Sequence, residues 1–290
     1  MNSWVEDLVS TLEPAFSAAE GQSTVESCAL SVLACHSFGR SDAARSGADW
    51  LTDVQQPDGS VSLWGDQSFP KWPTSLAMLA WLSCNELHQY SSSIRRAVAW
   101  TLANESEPVV SDGVMGHDTQ LIGWSWVTGT HGWIEPSALF VCALRQLGFG
   151  EHPRVHEAIL LLLDRQLPAG GCNYGNTTVL GQTLRPHVQP TGIAMLALAQ
   201  KSDPRITRTL DYLERILPDV DSIPSLAWSL LGLAAHGRHP GRAQANNMLY
   251  RIWNMPSPLP RTPLDIALVA LSSNGVFSRV VQDFSDMARA

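Results

Sequence analysis

The sequence predicts an all-α fold, an (α/α)6 toroid of six inner and six outer helices. Three observations carry this. Six segments repeat one pattern: a Pro or turn, a small polar residue, then a run of Ala and Leu. Each run is apolar all round, the mark of a helix buried on every side. Each is followed by a more polar stretch with apolar residues at helical spacing, the mark of a helix with one wet face. A repeat of this kind decides the architecture before any other feature.

Residues 1–20 read as an extra helix packed outside the ring, and residues 21–290 as a single toroid domain. The first inner helix spans 24–37 around Glu26–Ala34, and its outer partner spans 42–55. The second pair is 73–87, opened by Pro73-Thr-Ser, with 91–104, where Ile94, Val98 and Leu102 share a face. The third is 136–147, opened by Pro136-Ser, with 152–166, where Val155, Ile159 and Leu162 do the same. The fourth is 190–200, opened by Pro190-Thr-Gly, with 204–217. In that outer helix Ile206, Leu210, Leu213 and Leu217 oppose Arg205, Arg208, Asp211 and Glu214. The fifth is 224–236 with 241–254, and the sixth is 262–273 with 277–288. Pro stands at or just before the first helical position in five of the six inner helices, where its missing N–H costs nothing. An open solenoid is the competing arrangement, but it requires polar capping repeats at both ends. Residues 57–72, 105–135 and 166–189 form long connections, and loops of that length are often functional.

Bulk properties narrow the function. The chain of 290 residues is 44% hydrophobic with net charge −8, and it has no Lys/Arg block, which argues against nucleic-acid binding. Its longest apolar run, near Leu226–Ala235, falls well short of a membrane span. The N-terminus is acidic where a signal peptide would be basic. Cys28, Cys35 and Cys142 lie inside the Ala/Leu runs, so the five cysteines fit small core residues in a reducing cytoplasm.

Two turns narrow the fold further. Trp50-Leu-Thr-Asp-Val-Gln-Gln-Pro-Asp-Gly-Ser60 and Leu163-Asp-Arg-Gln-Leu-Pro-Ala-Gly-Gly-Cys-Asn-Tyr-Gly175 each carry Gln ahead of a Gly turn. The Gln amide can satisfy helix-end backbone groups, and Gly supplies positive φ. These turns resemble the Gln-Trp repeat of the terpenoid cyclase and protein prenyltransferase superfamily. Val61 and Cys172 stand where that repeat has an aromatic, and a third copy around Trp100 has lost the Gln and Gly. The resemblance implies an α/α toroid acting on or binding an apolar isoprenoid-type ligand, by lyase or isomerase chemistry if catalytic. It also implies a possible second subunit or homodimer. The Asp-x-Asp-Asp acid motif of the cyclases is absent.

In register, the inner helices bring Glu26, Glu135, Asp221 and Asp265 to one mouth, with His131, His187 and Arg261 nearby. Facing carboxylates raise one another's pKa and can supply an acid or base. The competing reading is helix capping, since first-turn acids are favoured by the helix dipole. Glu135 stands out because Gly123-Trp-Ser-Trp-Val-Thr-Gly-Thr-His-Gly-Trp-Ile-Glu135 places three Trp and a His ahead of it. Trp72, Trp124, Trp126, Trp133, Trp228 and Tyr174 are the expected lining of a central cavity for a hydrophobic small molecule, unless they simply plug the ring. No metal or cofactor is expected: Cys172 and His187 are the one Cys/His pair on facing loops, and Cys172 occupies a packing position in its turn. Paired carboxylates also fit a carbohydrate-active (α/α)6 enzyme. A non-catalytic binding or scaffold protein on the same fold is the third reading.

Overall fold

Each Ala/Leu run forms a helix in the computed structural model, which describes residues 3–12, 24–65, 67–110 and 115–274. The inner helices are α2 (Val25–Ser37), α4 (Thr74–Ser83), α6 (Ile134–Gln146), α8 (Val188–Ala197), α10 (Ile223–Ala235) and α12 (Pro263–Asn274). The amphipathic helices between them are α3 (Ser41–Asp53), α5 (Ser91–Ala103), α7 (Pro153–Asp164), α9 (Pro204–Ile216) and α11 (Arg242–Trp253). A short helix α1 (Ser3–Ser10) precedes them, and one two-residue hairpin, β1 (Thr178–Val179) with β2 (Gln182–Thr183), interrupts the loop after α7. The protein is thus all-α over the described residues. The expected sixth outer helix, 277–288, lies outside them.

Packing follows chain order. α2 packs on α4, α4 on α6, α6 on α8, α8 on α10, α10 on α12, and α12 on α2. Each of α3, α5, α7, α9 and α11 packs on the inner helix before it. Every residue of Trp72–Trp81 and of Pro190–Ala199 is buried, as all-round apolarity requires. Helices α8 and α10 approach most closely through glycines: a Cβ on Gly192 would lie within 3.0 Å of the Trp228 backbone, and one on Gly232 within 3.0 Å of Gly192 O. α1 packs on α12, burying Val5, Val9 and Leu12, while Trp4 meets Tyr250 edge-on at 5.4 Å.

The small polar residue after Pro73, Pro136 and Pro190 has a structural task. The hydroxyl of Thr74 accepts the Val61 N–H (2.8 Å), that of Ser137 the Trp124 N–H (2.9 Å), and that of Thr191 the Cys172 N–H (3.0 Å). Two residues further on, each loop reaches the preceding inner helix. Leu63 O accepts from Val25 N (2.9 Å), and Tyr174 O accepts from Ile134 N (2.8 Å). At the corresponding place Trp126 meets Trp72 edge-on at 4.9 Å. Each long loop therefore stitches the start of one inner helix to the start of the next, and the loops gather on the face formed by those N-termini. The middle loop keeps this geometry although it lacks the Gln and Gly of the other two.

The two Gln–Gly turns are alike in detail. Gly59 (φ +96°) and Gly170 (φ +92°) each lie so close to an outer helix that a Cβ would fall within 3.0 Å of a carbonyl oxygen, Arg96 O on α5 and Arg208 O on α9. Gln55 donates to Gly59 O and Ser93 O (both 2.9 Å), and Gln166 donates to Leu162 O (2.8 Å) while accepting from Thr209 (2.7 Å). Gln166 closes the end of its own helix and Gln55 closes its turn, and each ties on to the next outer helix.

Candidate functional site

Three of the expected lining residues meet. Trp72, Trp124 and Trp126, joined by Trp100 and Phe140, wall a solvent-open cleft rimmed by Lys71, Asn104, Glu105, Ser125 and Thr128. Trp124 and Phe140 lie 5.2 Å apart, and the Trp124 indole N–H is held by Thr101 O (3.0 Å). The cleft lies between α4, α6 and the C-terminal end of α5. The sequence expectation put these three residues around a central cavity; they line this cleft instead. The middles of α4 and α8 are buried on every face, because Ala, Ser, Thr and Gly let their backbones close up.

The other aromatics sit elsewhere. Trp133 packs on His131 (4.4 Å) and against Gly175, and Tyr174 stacks on His187 (4.7 Å), making a lid-like cluster over the starts of α6 and α8. Trp228 is buried within α10.

The expected ring of acids reduces to a pair. Glu135, in the first turn of α6, is only 4% exposed. Burial raises its pKa to about 7; the charge of Glu26 adds to the rise, and a hydrogen bond from the Gln189 side chain opposes it. Glu26, half-buried in the first turn of α2, is also raised to about 7 by burial. Oε1 of Glu135 has no hydrogen-bond partner among the described residues. Asp265 does not join them: its carboxylate accepts from Thr262 N and Oγ1 (both 2.9 Å), while its own N–H donates to Thr262 Oγ1 (3.2 Å), a closed capping box. Asp221 is exposed ahead of α10, and the Arg261 guanidinium is held by the Ile252 and Trp253 carbonyls. His131 is lowered by burial and by the Arg165 charge, and His187 is exposed. Burial pushes the Cys172 thiol up to about 12, which suits a core residue rather than a nucleophile. Among the described residues no group of three or more His, Cys, Asp or Glu is placed to hold a metal.

Two arginines missing from the sequence expectations hold the Trp loop in place. Arg154 stands 4.8 Å over the Trp124 ring and donates to Asn104 O (3.1 Å) and Gly123 O (3.2 Å). Arg165, 4% exposed, pairs with Asp164 (2.5 Å) and donates to Asp118 O (2.9 Å). The signal for Arg165 was a cation abutting the apolar run Leu160–Leu163, where a charge survives only if paired.

The chain matches no protein-family model and no curated protein. No helix among the described residues is long and apolar enough to cross a membrane.

Proposed function

We propose that the chain is an (α/α)6 toroid, similar to that of the terpenoid cyclase and prenyltransferase superfamily, that binds a small apolar ligand of isoprenoid type. The closed order of packing, α2 through α12 and back to α2, supports the toroid. The aromatic cleft is the observation that carries the ligand: four indoles and a Phe line one solvent-open cleft. Trp100 and Trp126, the two that are part-exposed, present the indole surface that an apolar partner would cover.

The reading is one of binding rather than catalysis in this cleft. Its one carboxylate, Glu105, is exposed and 3.9 Å from Arg154. Alkene protonation needs a buried neutral acid, and glycoside cleavage needs two carboxyl groups.

Tryptophan fluorescence titrated with farnesol, and in parallel with maltose, tests it. Saturable quenching by farnesol, weakened about tenfold or more in Trp126→Ala, is expected. Saturation by maltose and not farnesol would replace the apolar ligand with a sugar.

A further inference from the structure

Lysine is scarce in this chain. Lys71 and Lys201 are its two lysines, against 17 arginines. Lys201 is exposed beyond α8. Lys71 stands at the rim of the aromatic cleft, with its side chain only 14% exposed. The two kinds of cation differ chemically. A guanidinium stays charged and forks well onto a carboxylate, while an amine can release a proton and become a nucleophile. Where a cation covers a ring or pairs with acids elsewhere, it is Arg: Arg154 over Trp124, Arg261 over Trp253, Arg238 with Asp211 and Glu214. The cleft instead holds an amine.

That amine is fixed from both ends. The Lys71 carbonyl accepts the Thr74 hydroxyl (2.7 Å), which anchors its backbone at the start of α4. Its Nζ donates to Asp58 Oδ2 (2.5 Å). Asp58 is itself held through Oδ1, which accepts the Ser60 N–H (2.9 Å) and hydroxyl (2.6 Å). Nζ lies 5.9 Å from the ring centre of Trp100, a wall of the cleft, and 5.5 Å from that of Phe69. A primary amine with a positioned counter-ion therefore borders an indole-lined surface. The Ser125 hydroxyl on the same rim donates to Val127 O (2.7 Å), and a hydroxyl without an adjacent base is a weak nucleophile.

We propose that Lys71 captures the carbonyl carbon of an apolar aldehyde seated against the indoles, as a reversible imine. The inference rests on the cleft being the site of an apolar ligand, and it names the reactive group that ligand carries. The ammonium first loses one proton to solvent. The nitrogen lone pair then bonds to the carbonyl carbon, the C=O π pair moves to oxygen, and a proton passes from nitrogen to that oxygen. The carbinolamine takes up one proton from solvent and loses its hydroxyl as water while the nitrogen lone pair closes the C=N bond. The ammonium and the aldehyde thus give a protonated imine and one water, with nothing oxidised or reduced. The product keeps a positive charge and one N–H. Asp58 therefore remains its partner, and the Trp100 ring still faces a cation. Arg at this position would keep the ion pair and could not form the bond.

The full chain incubated with citronellal and sodium cyanoborohydride, followed by peptide mass mapping, tests the capture. The reagent delivers hydride to the iminium carbon and fixes it as a secondary amine, and Lys201 is the internal reference. Modification of Lys71 at least about tenfold faster than that of Lys201 is expected, because a bound aldehyde meets its amine at raised effective concentration. The Lys71 rate is expected to fall about tenfold in Trp126→Ala, as the aldehyde loses its indole contact. Equal modification of the two lysines in the wild type, which needs no variant to fold, would overturn the capture. So would a Lys71 rate unchanged in Trp126→Ala. Saturable quenching by farnesol together with equal modification of the lysines would overturn the imine and leave the cleft a binding site. A selective Lys71 adduct without farnesol quenching would uphold the capture and remove the alcohol-type isoprenoid from the cleft.

Discussion

Replacing Glu135 by Gln tests the electrostatics of the mouth through stability alone. In the unfolded chain the carboxyl titrates at 4.5, and in the folded protein at about 7. Below pH 4.5 both states are protonated and the acid costs nothing. Between 4.5 and 7 the folded state holds a proton that the unfolded state has lost, so stability falls as pH rises. Above 7 the cost is complete. A shift of one unit is worth about 1.4 kcal/mol, so a rise from 4.5 to about 7 in a side chain that is 4% exposed amounts to about 3 kcal/mol. Glu26 adds to the loss in the same direction. Gln keeps the shape and the hydrogen-bonding capacity without the charge. Urea unfolding of the wild type and Glu135→Gln at pH 4.5 and pH 8 is the assay. The variant is expected to match the wild type at the lower pH and exceed it by about 3 kcal/mol at the higher. An equal offset at both pH values would refute the reasoning, since it would mean that Glu135 ionises in the folded protein as freely as in the unfolded chain.

Four substitutions and one deletion probe the packing of the helices by thermal or urea unfolding. Gly170→Ala must place a Cβ against the Arg208 carbonyl at positive φ and is expected to cost about 3 kcal/mol or more, whereas Gly181→Ala, at φ +75° with nothing within 4 Å, should cost only about 1–2 kcal/mol. Thr191→Val leaves the buried Cys172 N–H without its acceptor and is expected to cost about 1–3 kcal/mol, with Thr191→Ser restoring most of it. Deleting residues 3–12 exposes the surface that Val5, Val9 and Leu12 cover, at roughly 1.5–3 kcal/mol per side chain, and should lower the melting temperature without abolishing folding.

The helices were legible because their signal is local. A run such as Ile193–Ala199 is apolar at every phase of the turn, and only a helix buried all round accommodates that. α9 is buried along Ile206, Thr209, Leu210 and Leu213, close to the face its spacing implied. The site was legible only where placement followed from the repeat. Bringing the inner N-termini to one face grouped Glu26 with Glu135, and the charge of Glu26 does act on Glu135. It could not show that Asp265 would be claimed by Thr262 three residues away, because a local cap competes with any distant partner and forms first in sequence space. Nor could it divide the Trp residues. Trp124 takes the turn position held by Val61 and Cys172, and Trp126 the one held by Leu63 and Tyr174. That equivalence appears only in which hydroxyl or indole each one meets. Trp100, on the wet side of an amphipathic helix, became a cleft wall because its neighbours on α4 and α6 leave a gap there.

Closure of the six inner helices is the claim on which the rest stands, because it alone brings α2, α6 and α8 to one mouth. Spin labels at Ser27 on α2 and Leu264 on α12, with Cys84 replaced by Ser, read it by double electron–electron resonance. The closed order of packing predicts one narrow distance distribution below about 25 Å, a single interaxial step of ~8–10 Å plus the label arms. An open solenoid would separate the two helices by five such steps, about 40–50 Å, and a distribution centred there would contradict the account.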